Sequence, residues 1–199
     1  FDFKKRKDMN DLYNHRATSE WRKGDPWCGF SKQEQFQAMI DLISDKTYPQ
    51  CLDIGTGLGH TLEAVSQFCE QCTAIDISKV AIKAVRQRLA RPNIQFLCKN
   101  IRTWKPKQKF DLILLGDVLY YLGDRWFHSE FDSLIKKISG MLNDNGRILI
   151  THHLDPDKNR DYFQKRYLRN FEKRGVHIEK EKESIEEDNQ WLVCLLKKT

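Results

Sequence analysis

The segment Leu52-Asp-Ile-Gly-Thr-Gly-Leu-Gly-His60, followed by Thr73-Ala-Ile-Asp-Ile-Ser78, limits the possible folds more than any other part of the chain. A short apolar strand, Cys51 to Ile54, runs into Gly55, Gly57 and Gly59 and then into the apolar pattern of a helix beginning near Thr61. Glycines at a strand-to-helix turn allow positive φ and let a ligand lie against bare backbone. A second strand ends in Asp76, where a nucleotide-type fold places the acid that accepts from two vicinal ribose hydroxyls, about 20 residues on. A dinucleotide would use a glycine-rich first turn as well. Its pyrophosphate loop wants G-x-G-x-x-G, whereas here the sixth position is His60 and the third glycine stands one place early, at Gly59.

Strand and helix signals alternate along the chain. Ser31 and Glu34 have capping-box spacing and open a helix over 31–45 with Phe36, Met39, Ile40 and Ile43 at helical intervals. The pattern then gives strand Cys51–Ile54, helix 60–69, strand Cys72–Ile77, helix 79–90 capped by Ser78, strands Ile94–Lys99 and Asp111–Gly116, helix 125–142, the turn Asn143-Asp-Asn-Gly146 and strand Arg147–His152. Such alternation specifies a parallel sheet with helices on both faces. After a polar helix over 157–174, Val176–Ile185 and Trp191–Leu196 flank a Glu-Glu-Asp-Asn turn and form an antiparallel hairpin.

Asp53 before the loop, the three glycines, Asp76 and the later strands together resemble the class I S-adenosyl-L-methionine-dependent methyltransferases. A more specific likeness lies in Asp25-Pro-Trp27 and in Gly116-Asp-Val-Leu-Tyr-Tyr-Leu122. These resemble the small-molecule N-methyltransferases of the nodulation protein S type, which share a D-P-W segment and an E-V-L-Y-Y-L-like stretch; Asp117 stands where they tend to have Glu. The resemblance runs over nearly the whole chain from about residue 12. It implies an α/β, Rossmann-like seven-stranded sheet of order 3-2-1-4-5-7-6, the last strand antiparallel, with helices on both faces. Residues 1–30 would form an N-terminal segment lidding the cofactor, and 31–199 a single methyltransferase domain.

The same resemblance implies S-adenosyl-L-methionine as cofactor and S-adenosyl-L-homocysteine as product. Asp53, Gly55, Thr56, Gly57 and Gly59 would hold the methionyl part, with Asp53 addressing its ammonium. Asp76, with Ile77 beside it, would accept from the ribose. Asn100 and Ile101 would meet the adenine, Asn standing where a carboxylate is common, and Gly116 would line the pocket at the end of strand four. Tyr13, Trp27 and Tyr120 or Tyr121 would cover the sulfonium, a cation–π contact of roughly 0.5–2 kcal/mol.

In open α/β sheets ligands bind beyond the carboxyl ends of the strands. Methyl transfer is an in-line displacement at an activated carbon, so positioning supplies much of the rate. Where an amine or hydroxyl must lose a proton, Asp117, His152 and His153 are the candidates, in that order. Neighbours on a strand point to opposite faces, so one histidine is expected to face the pocket.

At 199 residues the chain has room for one domain with a full core. Its apolar run from Leu112 to Leu122 is broken by Gly116 and Asp117, short of the ~20 residues that span a bilayer. The basic start has no apolar stretch behind it, so it is not expected to be a secretion signal. Six cysteines without a second paired cluster fit a reducing cytoplasm and no metal. Cys69-Glu-Gln-Cys72 is expected to be packing. The net charge of +6 sits mainly in the N-terminal tail and the late helix, which reads as solvated faces. The expected partner is a small-molecule acceptor, methylated at nitrogen or oxygen. Nucleic acid and membrane are not expected partners, and the oligomeric state is left open. An RNA or protein methyltransferase, or a catalytically silent partner protein of this fold, is the alternative.

Overall fold

A computed structural model describes residues 7, 9–11, 33–123, 128–154, 159–186 and 189–199. Its strands are β1 (Tyr48–Ile54), β2 (Cys69–Asp76), β3 (Ile94–Cys98), β4 (Phe110–Gly116), β5 (Leu142–Leu154), β6 (Val176–Glu186) and β7 (Asn189–Lys198). They form one seven-stranded sheet in the order β3-β2-β1-β4-β5-β7-β6. The pairs among β1 to β5 are parallel, and β7 runs antiparallel to both β5 and β6. The expected order and the antiparallel last strand are borne out.

Both faces of the sheet are covered, so its central strands read as apolar runs rather than as alternation. In β4, Leu112 and Leu114 enter one core with α1 (Gln33–Ile43), α2 (His60–Val65) and α3 (Lys79–Arg88). Ile113 and Leu115 enter the other with α5 (His128–Gly140), α6 (Arg160–Phe163) and α7 (Arg169–Glu172). The same parity carries through β5, where Leu149 joins the first core and Ile148 and Ile150 the second. Among the described residues no helix is long and apolar enough to cross a membrane.

Several boundaries differ from the sequence pattern. β1 starts at Tyr48 and runs through Pro49, which is tolerated because pairing with β4 begins only at Cys51 and Pro49 has no register partner on β2. The helix expected over 60–69 ends at Val65; a 3-10 turn, Ser66–Phe68, follows, and Cys69 already belongs to β2. Asn143–Gly146 is part of β5, not a turn. The register slips between Phe110 and Leu112 there, and Asn145 takes φ 60, so the extra residues form a bulge. α4 (Leu119–Gly123) has no counterpart in the expected pattern. The late polar helix is interrupted by a π-helical turn, Gln164–Leu168. Ser31 of the expected capping box lies outside the described residues.

Arg147 joins three parts of this frame. Only 6% exposed, it donates to Asp45 at 2.8 Å and to the Tyr48 hydroxyl at 2.9 Å, and pairs with Glu179 at 2.7 Å. Burial opposes its charge, but hydrogen bonds to Asp45, Glu179 and Tyr48 outweigh that and raise its pKa. Burial also pushes the Tyr48 phenol up to about 12. Arg147→Met leaves the Tyr48 hydroxyl and two carboxylates without their donor, so we expect a loss of about 1–3 kcal/mol in urea unfolding. Because Asp45 and Glu179 stay partly in water, a loss near zero would mean that solvent replaces the arginine completely.

Candidate active site

The turn after β1 is held by its own donors. Gly55, Gly57 and Gly59 have φ of 77, 52 and 80°, the left-handed region. A Cβ at Gly55 would stand 2.5 Å from Val118 Cγ2, and one at Gly59 2.4 Å from Val85 Cγ2. The Gly55 and Thr56 amides both donate to the Ile75 carbonyl, at 2.8 and 3.0 Å. The Gly57 amide donates to Asp76 Oδ2 at 3.0 Å, and the Gly59 amide to the Thr56 carbonyl at 2.7 Å. From the other side Arg88 Nε of α3 donates to the Leu58 carbonyl at 2.8 Å. A pyrophosphate cradle needs amides that point out at the ligand. Here these four point inward.

Asp53, on the α1–α3 face of β1, is 2% exposed, and its Oδ2 has no hydrogen-bond partner among the described residues. Burial pushes the Asp53 carboxyl up to about 7, moderated by the Thr56 hydroxyl and reinforced by Cys72 and Asp76. Asp76 is 5% exposed and accepts from the Ser78 amide at 2.8 Å on Oδ1 as well as from Gly57 on Oδ2. Burial raises its pKa against the pull of those backbone bonds. Each Asp76 oxygen keeps acceptor capacity for one more donor. Ser78 Oγ accepts from the Ala81 amide, capping α3, and donates to Asn10 Oδ1 at 2.8 Å. That contact brings the N-terminal segment to the rim of the turn. Ile77 is half-buried beside it.

After β3, Asn100 Oδ1 accepts from the Arg102 amide at 2.9 Å, closing a local turn. Ile101, 6% exposed, packs into the core on the α5–α7 face. Gly116 ends β4, where a Cβ would meet Thr61 Oγ1 at 2.5 Å. Tyr13 and Trp27 lie outside the described residues. Tyr120 and Tyr121 stand 4.4 Å apart, centroid to centroid, with Tyr121 41% exposed.

Asp117 adopts φ 47, a left-handed conformation unusual for a non-glycine residue and a mark of a site the surroundings impose. Its amide donates to the Thr151 carbonyl at 3.0 Å; Oδ1 accepts from the His153 amide and Oδ2 from Gln35 Nε2, each at 3.1 Å. The two histidines part as strand geometry requires. His152, 1% exposed, stacks on the α5–α7 face with Phe163 and Tyr167 at 4.7 and 5.3 Å. His153 is half-buried, 5.4 Å from Trp191 on the opposite face. The structure therefore gathers Asp53, Asp76, Asp117 and His153 on the α1–α3 side and places His152 across the sheet. Gln35 was missed from the sequence, although a glutamine in the stripe it shares with Met39 and Leu42 is a polar residue on an apolar face.

The family model described as Nodulation protein S matches residues 9–156. The chain is 27% identical over 146 residues to Nodulation protein S of Sinorhizobium fredii, covering 71% of this chain and 66% of that protein. It is 29% identical over 110 residues to Nodulation protein S of Rhizobium tropici, covering 54% of this chain and 45% of that one. Thus it spans less than two thirds of the length of these relatives. In fold it is similar to the N-methyltransferase NodS from Bradyrhizobium japonicum WM9, solved in complex with S-adenosyl-l-homocysteine, with a TM-score of 0.77 and 19% identity over 96% of this chain and 98% of that one.

The buried Asp53 carboxyl has a consequence for stability. An ordinary Asp titrates at 3.8 and this one at about 7, so between those values the folded state keeps a proton that the unfolded chain has lost. Stability therefore falls as pH rises through that window. We expect urea unfolding of the ligand-free protein to lose up to about 2–3 kcal/mol between pH 5 and pH 8 that Asp53→Asn does not lose. Parallel profiles for the two proteins would mean that Asp53 ionises as if in water.

Proposed function

The chain belongs to the nodulation protein S family, and from that membership and this site we propose an S-adenosyl-L-methionine-dependent methyltransferase that acts on nitrogen or oxygen of a small polar acceptor. The observation that carries the cofactor assignment is the buried Asp53 carboxyl with an unpartnered oxygen beside a turn whose amides point inward. Such a place disfavours an anion and suits the ammonium of a methionyl group. The remaining lone pairs of Asp76 suit vicinal ribose hydroxyls. The cofactor supplies a methyl carbon activated by a sulfonium. The chain's task is to orient it, exclude water and handle the acceptor's proton.

Asp117 is our first candidate for holding that proton. Gln35 and the His153 amide fix its carboxylate at the end of β4, and its left-handed backbone carries it away from the strand line. His153 shares its side of the sheet and is the second candidate; His152, enclosed by aromatic rings, is the third. The bond from Ser78 to Asn10 supports residues 1–30 as a cover over the cofactor, with Tyr13 and Trp27 in that role, and 31–199 as the catalytic domain. Asn100 and Ile101 would border the adenine and Gly116 the transferred methyl group. Nitrogen as the acceptor atom is supported by the N-methyltransferase to which the fold is similar. Free thiols at Cys51, Cys69, Cys72, Cys98 and Cys194 support a reducing compartment such as the cytoplasm.

Calorimetry with S-adenosyl-L-homocysteine tests the pocket. Gly57→Val and Asp76→Ala should each weaken binding by about 10- to 150-fold, the second by removing acceptors of both the ribose and the Gly57 amide. Unchanged affinity in folded variants would end the assignment. Turnover with labelled cofactor against panels of small amines, hydroxyl compounds, RNA and protein identifies the acceptor class; incorporation into RNA alone would overturn the small-molecule reading. With the acceptor known, Asp117→Asn should lower kcat by roughly 10²–10⁴ and leave product affinity nearly intact. If kcat holds across Asp117→Asn, His153→Asn and His152→Asn, positioning alone suffices.

A further inference from the structure

Cys51, Cys69 and Cys72 lie far apart in what the sequence suggests they do, yet the fold brings their sulfur atoms within 4.8 Å of one another. Cys51 and Cys72 are register partners on the adjacent parallel strands β1 and β2, and Cys69 opens β2 just after the 3-10 turn. All three are buried in the α1–α3 core, at 0, 5 and 3% exposure respectively. We propose that these three thiols form a binding site for one thiophilic divalent metal ion, of the Zn(II) or Cd(II) class, at the base of the β1–β2 pair.

Geometry comes first. Three sulfurs bound to one ion at about 2.3 Å stand about 4 Å apart, so the site needs a contraction of less than about 1 Å. Arg91, held by its bond to Ser66 Oγ at 2.7 Å, supplies a positive charge beside the cluster.

The charge count selects the metal class. Three thiolates around a divalent ion carry a net charge of −1, which the neighbouring Arg91 offsets. A monovalent ion such as Cu(I) would leave −2 in the same apolar surroundings, at a further desolvation cost. Soft thiolate donors exclude Mg(II) and Ca(II). Bound there, the ion would fasten the start of β2 to the middle of β1, two residues below Asp53.

The test is titration of the reduced protein with Cd(II) chloride in thiol-free, chelator-free buffer, with Cys28→Ser and Cys98→Ser introduced to silence other thiols. We expect a thiolate-to-metal charge-transfer band that saturates at one ion per chain, release of protons on binding, and a rise in Tm. Each of Cys51→Ala, Cys69→Ala and Cys72→Ala should lose the saturating band, whereas Cys194→Ala should keep it. Because a core variant can fail to fold, cadmium NMR of the otherwise unaltered chain gives an independent reading, its shift separating three-thiolate coordination from one or two. Absence of a stoichiometric band, a band that survives in a folded single variant, or a shift for fewer than three sulfurs would each overturn the proposal.

Discussion

The bond from the Gly57 amide to the Asp76 carboxylate is the joint on which the site depends. It ties the end of β1 to the end of β2, so the parallel pairing of two strands becomes the shape of a turn. With the Gly55 and Thr56 amides also bound to β2, the turn is built before any ligand arrives, and little conformational entropy remains to be lost on binding. The same bond makes Asp76 a structural residue of the turn. A buried carboxylate satisfied by backbone amides is stable enough to persist, and its spare lone pairs are what a polar ligand would meet.

The sheet explains why charged groups collect at one edge. Each strand from β1 to β5 points its carboxyl end the same way, and the first turn beyond each end is where backbone leaves the ladder and side chains escape the core. Asp53, Asp76 and Asp117 occupy three such ends. Burial first, then the nearby Cys72 and Asp76, hold Asp53 toward its protonated form, a cost that a cation placed there would offset. Asp117 is held by donors from α1 and β5.

The alternation of strands and helices, the glycine turn and the closing hairpin were legible in the sequence because each rests on a local signal: period, turn chemistry or apolar runs; the strand order followed from the family resemblance alone. The misplaced boundaries share another cause. Nothing local tells that Asn143–Gly146 is drawn into β5, because the partner that draws it is β4, whose register slips to admit it. His152 and His153 could be assigned opposite faces by parity, but which face carries the site depends on where α1 and α6 pack. Gln35 carries a signal that means little until Asp117 is known to lie opposite. The approach of Cys51 to Cys72 is the clearest case: it follows from strand register alone, so the spacing of Cys69 and Cys72, read by itself, suggests ordinary packing.

The glycines of the turn and the acid beside them answer to different demands. Gly55 and Gly59 are held by Val118, Val85 and their own left-handed backbones, whether or not anything binds. Asp53 is buried with one oxygen unpartnered among the described residues and is held toward its protonated form, so at neutral pH its charge opposes folding rather than supporting it. A copy of this gene under selection for foldability alone would thus keep its glycine signature, while its buried acid was free to drift. Within this fold the glycines report the demands of the backbone, and a retained acid at position 53 would report a demand other than folding.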